Sequence, residues 1–239
     1  MKTKITYCGH SAALIDLPSG KRIGLDPWLH GNPSCPPHLL EPDRLDYIGL
    51  THGHSDHAGG VVPLAKRLKS KVFATFELGN LLVADGLDAS QYLPMNKGGT
   101  IELESDLSAT LTQAFHSSSY DAADGKTYYA GEPCGIVIRS STSPTIYHAG
   151  DTLLFSDMAI IGKKFRPALV MVPIGDRFTM GPEDAAEAVA LLSPQFVIPI
   201  HYATFPLLSG SSEDFSRKVE QKAPKTKVIA LSPGETFDL

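Results

Sequence analysis

The chain has 239 residues, 42% of them hydrophobic, and a formal charge of −5. That is enough apolar material to bury a sizeable core in a single domain spanning residues 1–239. The acidic balance, without a long Lys/Arg run, offers no basic stripe of the kind that tracks a nucleic-acid backbone. No run of about 18 apolar residues suggests a membrane span. The opening Met1-Lys2-Thr3-Lys4 leads into apolar residues that Gly9-His10-Ser11 and Asp16 interrupt, unlike a signal peptide. Cys8, Cys35 and Cys134 are unpaired in number and lack C-x-x-C spacing, which points to a reducing compartment and a cytoplasmic protein.

Taken in order, Lys4–Tyr7, Ala12–Leu17 and Arg22–Leu25 read as an antiparallel meander turning at Pro18-Ser19-Gly20-Lys21. A loop carrying Pro33, Pro36, Pro37 and Pro42 follows Trp28. Its length makes it either a plain crossover or a pocket wall bearing Trp28, His30 and His38. Leu45–Leu50 reads as a strand, Val61–Leu68 as a helix with Val61, Leu64, Ala65 and Leu68 on one face, and Lys71–Ala74 as a strand. Phe76–Ala84 reads as a helix, and Gly99–Glu104 and Leu107–Phe115 as strands. Residues 116–126 form a small polar loop, expected to be mobile and suited to substrate contacts.

Beyond it, Cys134–Arg139 and Thr145–His148 form a hairpin through Ser141-Thr142-Ser143-Pro144, and Leu153–Lys163 is expected to be helical. Ala168–Val172 and Phe196–Ile200 are apolar throughout, as buried strands are, and Pro182–Leu192 is a helix with proline in its first turn. Ser211–Lys222 and Lys227–Leu231 close the chain as helix and strand. Two β-rich halves packed face to face with helices outside fit this order, although no convincing sequence repeat marks a duplication.

Chemistry concentrates in Thr51-His52-Gly53-His54-Ser55-Asp56-His57, which places three imidazoles and a carboxylate within six positions. Neutral imidazole nitrogen and carboxylate oxygen are ligands for zinc and its neighbours. Strand alternation carried past Leu50 sends His52 and His54 to one side, towards one cation. Asp56 and His57 lie further on, where the chain turns at Gly59-Gly60, so one loop is able to serve two ions. His116, Asp151 and His201 each follow an expected strand, and such strand-end loops are where ligands converge in layered α/β structures.

These motifs, with Ala149-Gly150-Asp151-Thr152 and Pro199-Ile200-His201-Tyr202, resemble the ordered set of the metallo-β-lactamase superfamily over nearly the whole chain. The resemblance implies an α/β fold, the four-layer αββα sandwich, with the metal centre at one edge of its two sheets. Tyr7-Cys8-Gly9-His10-Ser11 and Leu25-Asp26-Pro27-Trp28 further resemble the branch holding ascorbate-6-phosphate lactonase and small metal-dependent hydrolases. Carried over to this sequence, the family pattern gives His52, His54 and His116 to one metal and Asp56, His57 and His201 to the other, bridged by Asp151. Aspartate at 151, where many true β-lactamases carry cysteine, argues against antibiotic hydrolysis. Histidine at 54, where the flavodiiron branch carries glutamate, argues against a di-iron reductase.

The implied cofactors are two divalent metal ions, zinc first, with manganese, iron or nickel as alternatives. Two such ions roughly 3.5–4 Å apart hold a bridging hydroxide as nucleophile. The expected reaction is hydrolysis of a small ester, lactone or phosphorylated metabolite. The alternatives are a mononuclear iron oxygenase of the same fold, a phosphodiesterase acting on nucleotides, and a non-catalytic metal-binding protein. Asp56 could pass for a general base by position but is better used as a ligand. His148 and Tyr202 are candidates to protonate the leaving group, and His10 and Asp26 to orient a ligand histidine or touch substrate. Arg177 and Lys97 are candidate anion contacts. The partner is a small molecule, with no nucleic acid and no membrane, and a homo-oligomer is compatible by base rate.

Overall fold

The computed structural model describes residues 2–239. In chain order the first half holds β1 (Lys4–Gly9), β2 (Ala12–Asp16), β3 (Arg22–Leu25), β4 (Tyr47–Gly49), α1 (Ser55–Ala58), α2 (Val61–Leu68), β5 (Lys71–Thr75), α3 (Phe76–Ala84) and β6 (Tyr92–Met95). The second holds β7 (Thr100–Glu104), β8 (Leu107–Gln113), β9 (Ser119–Asp121), β10 (Thr127–Tyr129), β11 (Cys134–Ser140), β12 (Ser143–His148), α4 (Met158–Phe165), β13 (Leu169–Pro173), α5 (Pro182–Leu192), β14 (Phe196–Ile200), α6 (Ser212–Lys222), β15 (Lys227–Val228) and β16 (Thr236–Asp238).

Two seven-stranded sheets result, ordered β16-β1-β2-β3-β4-β5-β6 and β15-β14-β13-β12-β11-β8-β7. Each changes from antiparallel pairing (β1-β2-β3; β7-β8-β11-β12) to parallel pairing (β3-β4-β5-β6; β12-β13-β14-β15). The parallel steps need crossovers, which α-helices supply except between β3 and β4, where the proline-rich stretch crosses with only a 3-10 turn at Pro37–Leu39.

Alternation builds the layers. Ile23, Leu25 and Phe73 of the first sheet meet Ile136, Ile138, Met171 and Ile198 of the second in one buried cluster between the sheets. The intervening residues face outwards: Leu14, Ile48 and Val72 pack under Leu64, Leu78 and Leu82 of α2 and α3. On the other side Val137, Val170, Val172 and Val197 pack under Ile161, Val189 and Phe215 of α4, α5 and α6. Strand β13 is therefore buried on both faces, the reason its sequence Leu-Val-Met-Val-Pro shows no polar alternation. The architecture is α/β in four layers, helices over sheet over sheet over helices.

Several expectations need correction. The residues 116–126 are not a structureless loop: β9 and β10 pair as a hairpin, and the Tyr120 hydroxyl anchors it by donating to Asp85 at 2.6 Å. The helix expected from Leu153 begins at Met158: the Leu153 carbonyl accepts from the Thr152 hydroxyl at 2.8 Å rather than from an amide one turn on, while its amide donates to the Phe115 carbonyl across the chain at 3.1 Å. Strand Leu45–Leu50 shortens to Tyr47–Gly49, Lys227–Leu231 shortens to Lys227–Val228, and Ser143-Pro144 belong to β12 rather than to the turn before it. The turn expected after Asp56 is one helical turn, α1. Strands β6 and β16 had no pattern to reveal them: β6 contains Pro94, and β16 is three residues long.

Candidate metal centre

The strand ends deliver one side chain after another to a single edge of the sandwich. Past β4, His52, His54, Asp56 and His57 arrive on the loop and turn of α1; past β8, β12 and β14 come His116, Asp151 and His201. His52 Nε2 and His54 Nδ1 stand 3.0 Å apart, and with His116 they form a set whose donor atoms all lie within 4.8 Å. Asp56, His57 and His201 form a second set, joined by His10. Asp151 Oδ2 lies between the two, 3.6 Å from His116 Nε2 and 4.0 Å from His52 Nε2 on one side. On the other side it is 3.1 Å from His201 Nε2 and 3.4 Å from His57 Nε2.

Burial makes the arrangement demanding. His52, His57, Asp151 and His201 are each at most 3% exposed. His57 Nε2 and Asp151 Oδ1 are buried without a hydrogen-bond partner, a cost of about 1–3 kcal/mol for each such group. Burial pushes the His52 imidazole far below its ordinary range, so it is neutral at pH 7 and has a lone pair to give. Burial opposes the charge of Asp151, but the His201 and His57 imidazoles outweigh it and hold the carboxyl well below its usual range. Burial likewise opposes protonation of His201, while the Asp151 carboxylate lifts its pKa to about 9. Nitrogen and carboxylate donors about 3–4 Å apart, two with orphaned atoms, suit a divalent ion bound at 2.0–2.2 Å.

Asp26 organises the donors. Its carboxylate is fully buried and accepts from the Thr51 amide at 2.8 Å, the Thr51 hydroxyl at 2.6 Å and His57 Nδ1 at 2.7 Å. The Thr51 hydroxyl, its proton given to Asp26, accepts in turn from His52 Nδ1 at 3.0 Å. Both rings thus hold a proton on Nδ1 and turn Nε2 towards Asp151. His52 Nε2 is bare, whereas burial of His57 is outweighed by the Asp151 and Asp26 carboxylates, which raise it well above its ordinary range, so its Nε2 sheds a proton when it binds an ion. Thr51 belongs to the motif read from sequence, but only the fold reveals it as the link.

His10 is buried in the turn between β1 and β2, where Nε2 lies 2.9 Å from Asp56 Oδ2 and Nδ1 lies 3.0 Å from the Thr204 hydroxyl. His10, Asp26 and His201 all have positive φ (56°, 42° and 56°), backbone strain of the kind that gathers at functional sites. The Asp151 loop passes so close to its neighbours that a Cβ on Gly150 (φ 65°) would lie 2.7 Å from the Cys134 carbonyl oxygen.

Two expected participants lie elsewhere. His148 is fully buried, with Nε2 donating to the Ser11 carbonyl at 2.9 Å and Nδ1 accepting from the Gly150 amide at 3.1 Å. With both nitrogens engaged it holds the Asp151 loop and has no proton to offer substrate. Tyr202 lines a different cavity, with Tyr7, Ser212 and Glu213. Of the proline-rich loop, Trp28 reaches the site, its ring 5.5 Å from His10, whereas His30 is exposed and pairs with Glu41 and His38 is exposed as well. Lys97 pairs with Glu132, and the Arg177 guanidinium lies 5.7 Å from the Phe178 ring centre. Sequence reasoning missed Phe178, Phe205 and Leu208, which line the cavity over the centre; single apolar residues after strands carry no signal of that role.

Among the described residues no helix is long and apolar enough to cross a membrane. Comparison with known proteins agrees with the geometry. The model of the beta-lactamase superfamily domain matches residues 21–202. A UPF0173 metal-dependent hydrolase of Herpetosiphon aurantiacus is 43% identical over 236 residues, covering 98% of this chain and 97% of the relative. Another from Myxococcus xanthus is 45% identical over 240 residues, covering 100% and 84%. Among solved structures, Igni18, a metallo hydrolase of Ignicoccus hospitalis, superposes with a TM-score of 0.87 at 35% identity, covering 100% of both chains. The chain belongs to the metallo-β-lactamase superfamily and is one of its metal-dependent hydrolases.

Proposed function

We propose that the protein is a dinuclear hydrolase of a small ester, lactone or phosphorylated metabolite. His52, His54 and His116 hold one divalent ion and Asp56, His57 and His201 the other, with zinc the first candidate. The observation that carries this reading is the position of Asp151 Oδ2, 3.1–4.0 Å from the Nε2 atoms of His52, His57, His116 and His201. One oxygen so placed is suited to bridging two ions. Two bound divalent ions supply a water of lowered pKa and polarise the bond attacked.

The protein's own contributions are separate from that chemistry. Asp26 fixes the tautomers of His57 and, through Thr51, His52. His10 steadies Asp56 by donating to Oδ2. The burial of His52, His57, Asp151 and His201 keeps bulk water from competing for their donor atoms.

The test is elemental analysis of protein purified without chelator or metal-affinity tag, paired with Asp151→Ala. Two ions per wild-type chain, with metal and hydrolysis lost in a folded Asp151→Ala variant, is the expected result. Two ions and undiminished turnover in that variant would defeat the bridging assignment. A single iron per chain would instead favour the oxygenase.

A further inference from the structure

Over the metal centre the chain encloses a cavity of about 290 Å³, at the small end of the roughly 300–1,000 Å³ that ligand cavities occupy. His54, His116 and Asp151 lie at its floor, and Phe178, Phe205 and Leu208 line its sides. Phe178 and Phe205 are 52% and 41% exposed, so two phenyl rings stand with apolar surface facing the opening. Among the described residues lining the cavity there is no lysine or arginine.

These sides are built to stay in place. They belong to the turns after β13 and β14, neighbouring parallel strands. Asp176, Arg177, His201 and Ala203 all adopt left-handed backbone (φ 63°, 54°, 56° and 58°), which persists only where the surroundings impose it. The impositions are visible. The Ser209 hydroxyl donates to Asp176 Oδ2 at 3.4 Å, and the Gly210 amide donates to the Gly175 carbonyl at 3.3 Å. The turns are so close that a Cβ on Gly210 would lie 1.7 Å from the Ile174 carbonyl oxygen. Phe205 is further braced edge-on against His10, with ring centres 5.7 Å apart.

A phosphate dianion would turn some of its oxygens to the bound ions, but the remainder would surrender hydration beside two phenyl rings and a leucine, where no lysine or arginine lines the cavity and Arg177 lies against the Phe178 ring. An alkyl or aryl group would instead cover exposed apolar surface and gain from it. We propose that the substrate is a small uncharged acyl compound, an ester or lactone, whose apolar substituent sits between Phe178 and Phe205 while its carbonyl faces His54, His116 and Asp151. The inference rests on the reading of the protein as a hydrolase of this centre and narrows it. In the reaction the oxygen of water bonds to the carbonyl carbon and the carbonyl carbon–oxygen single bond breaks. One water proton ends on the departing oxygen, giving acid plus alcohol, or one hydroxy acid from a lactone.

The experiment compares metal-loaded protein on methyl acetate, butyrate and hexanoate, on δ-lactones with lengthening alkyl substituents, and on hexyl phosphate, which keeps the chain but adds the dianion. The expected result is a kcat/KM that rises about fourfold per methylene until the cavity is full, with hexyl phosphate far behind methyl hexanoate. Phe178→Ala and Phe205→Ala should each flatten that series and lower kcat/KM for methyl hexanoate about tenfold, mainly through KM. Both side chains are half-exposed, so the variants fold, as a thermal melt would verify. Hexyl phosphate cleaved as well as or better than methyl hexanoate, or ester cleavage indifferent to chain length and to both substitutions, overturns the substrate class and leaves the hydrolase reading standing. Cleavage of none of these compounds by protein holding two ions overturns the hydrolase reading, and this inference with it.

Discussion

Replacing Asp26 with asparagine changes one atom and tests how the centre is assembled. In the native chain Asp26 Oδ2 accepts from both His57 Nδ1 and the Thr51 hydroxyl, at 2.7 and 2.6 Å, while Oδ1 accepts from the Thr51 amide at 2.8 Å. Asparagine keeps the Oδ1 bond but presents an NH2 group where two protons already point. His57 must then give up its Nδ1 proton and keep the one on Nε2, so that Nδ1 accepts. The Thr51 hydroxyl, accepting from the amide, turns its proton towards His52 Nδ1 and drives that ring to the same tautomer. Each ring then aims an N–H at the ion it should bind. Loss of such orienting partners costs about 10–100-fold in metal affinity, and here one substitution reaches a ligand of each set. The exchange of a carboxylate for an amide costs the metal-free fold about 1–3 kcal/mol. Asp26→Ala costs more, about 3 kcal/mol or above, because three buried donors lose their acceptor. The assay is competition of metal-free protein against a chromophoric chelator, resolving both binding steps, beside urea unfolding of the same samples. Wild-type affinity at both steps in a folded Asp26→Asn protein would refute the tautomer argument.

The two sets of ligands should also differ in their response to pH. In the metal-free protein the Asp151 carboxylate, against the opposing effect of burial, raises His201 to about 9, whereas burial lowers His52, His54 and His116. On the dinuclear reading, an ion held by Asp56, His57 and His201 should therefore displace protons from the two raised histidines, His57 and His201, at pH 7, and its affinity should rise about tenfold per pH unit for each proton displaced; calorimetry in buffers of differing protonation enthalpy counts those protons, and none released would be the contrary result. A raised histidine contributes stability that is complete below its unfolded value near 6.5 and fades as pH rises through the folded one, so thermal melts of the metal-free chain should decline between about pH 6.5 and 9. Gly150→Ala forces a Cβ to within 2.7 Å of the Cys134 oxygen at φ 65°, an overpacking worth about 1–3 kcal/mol; elemental analysis should find less metal retained, and a full complement would show that the Asp151 loop tolerates the shift. Phe215, fully buried on the inner face of α6, should cost about 3–5 kcal/mol as alanine while the metal content of folded protein is unchanged, a contrast that denaturant titration and elemental analysis together resolve.

Much of this fold is legible in the residue order because its central strands and helices have unambiguous periods. The ranges Val61–Leu68, Phe76–Ala84, Pro182–Leu192 and Phe196–Ile200 match their observed elements end to end. The cluster of metal-capable donors is legible for a different reason: three imidazoles and a carboxylate in six positions have few other uses, and the fold brings them together. What the residue order hides depends on distant partners. Leu153 is tied to the Phe115 carbonyl, 38 positions earlier in the chain, and stands in a non-helical connection that leads to α4 at Met158. His148 looks like a proton donor from its place near Asp151, but Ser11 and Gly150 occupy both its nitrogens. Phe178 and Phe205 become a pair only once β13 and β14 lie side by side.

The same dependence on distant partners gives the centre a structural consequence. Each of the two proposed ligand sets draws two donors from the first half of the chain and one from the second: His52 and His54 with His116, and Asp56 and His57 with His201. An ion in either set would therefore tie one sheet of the sandwich to the other at an edge that carries backbone strain. His10, Asp26 and His201 hold left-handed backbone there, at a cost of order 1–3 kcal/mol each, and His57 Nε2 and Asp151 Oδ1 are buried without partners. The apolar layers beneath carry this burden in the metal-free protein, and an ion would relieve the part that lies in the orphaned donor atoms. Metal affinity and fold stability are then one linked quantity. A substitution in the interior between the sheets, such as one at Phe73 or Ile136, should weaken metal retention without touching a ligand, because it loosens the two halves whose alignment the donors require.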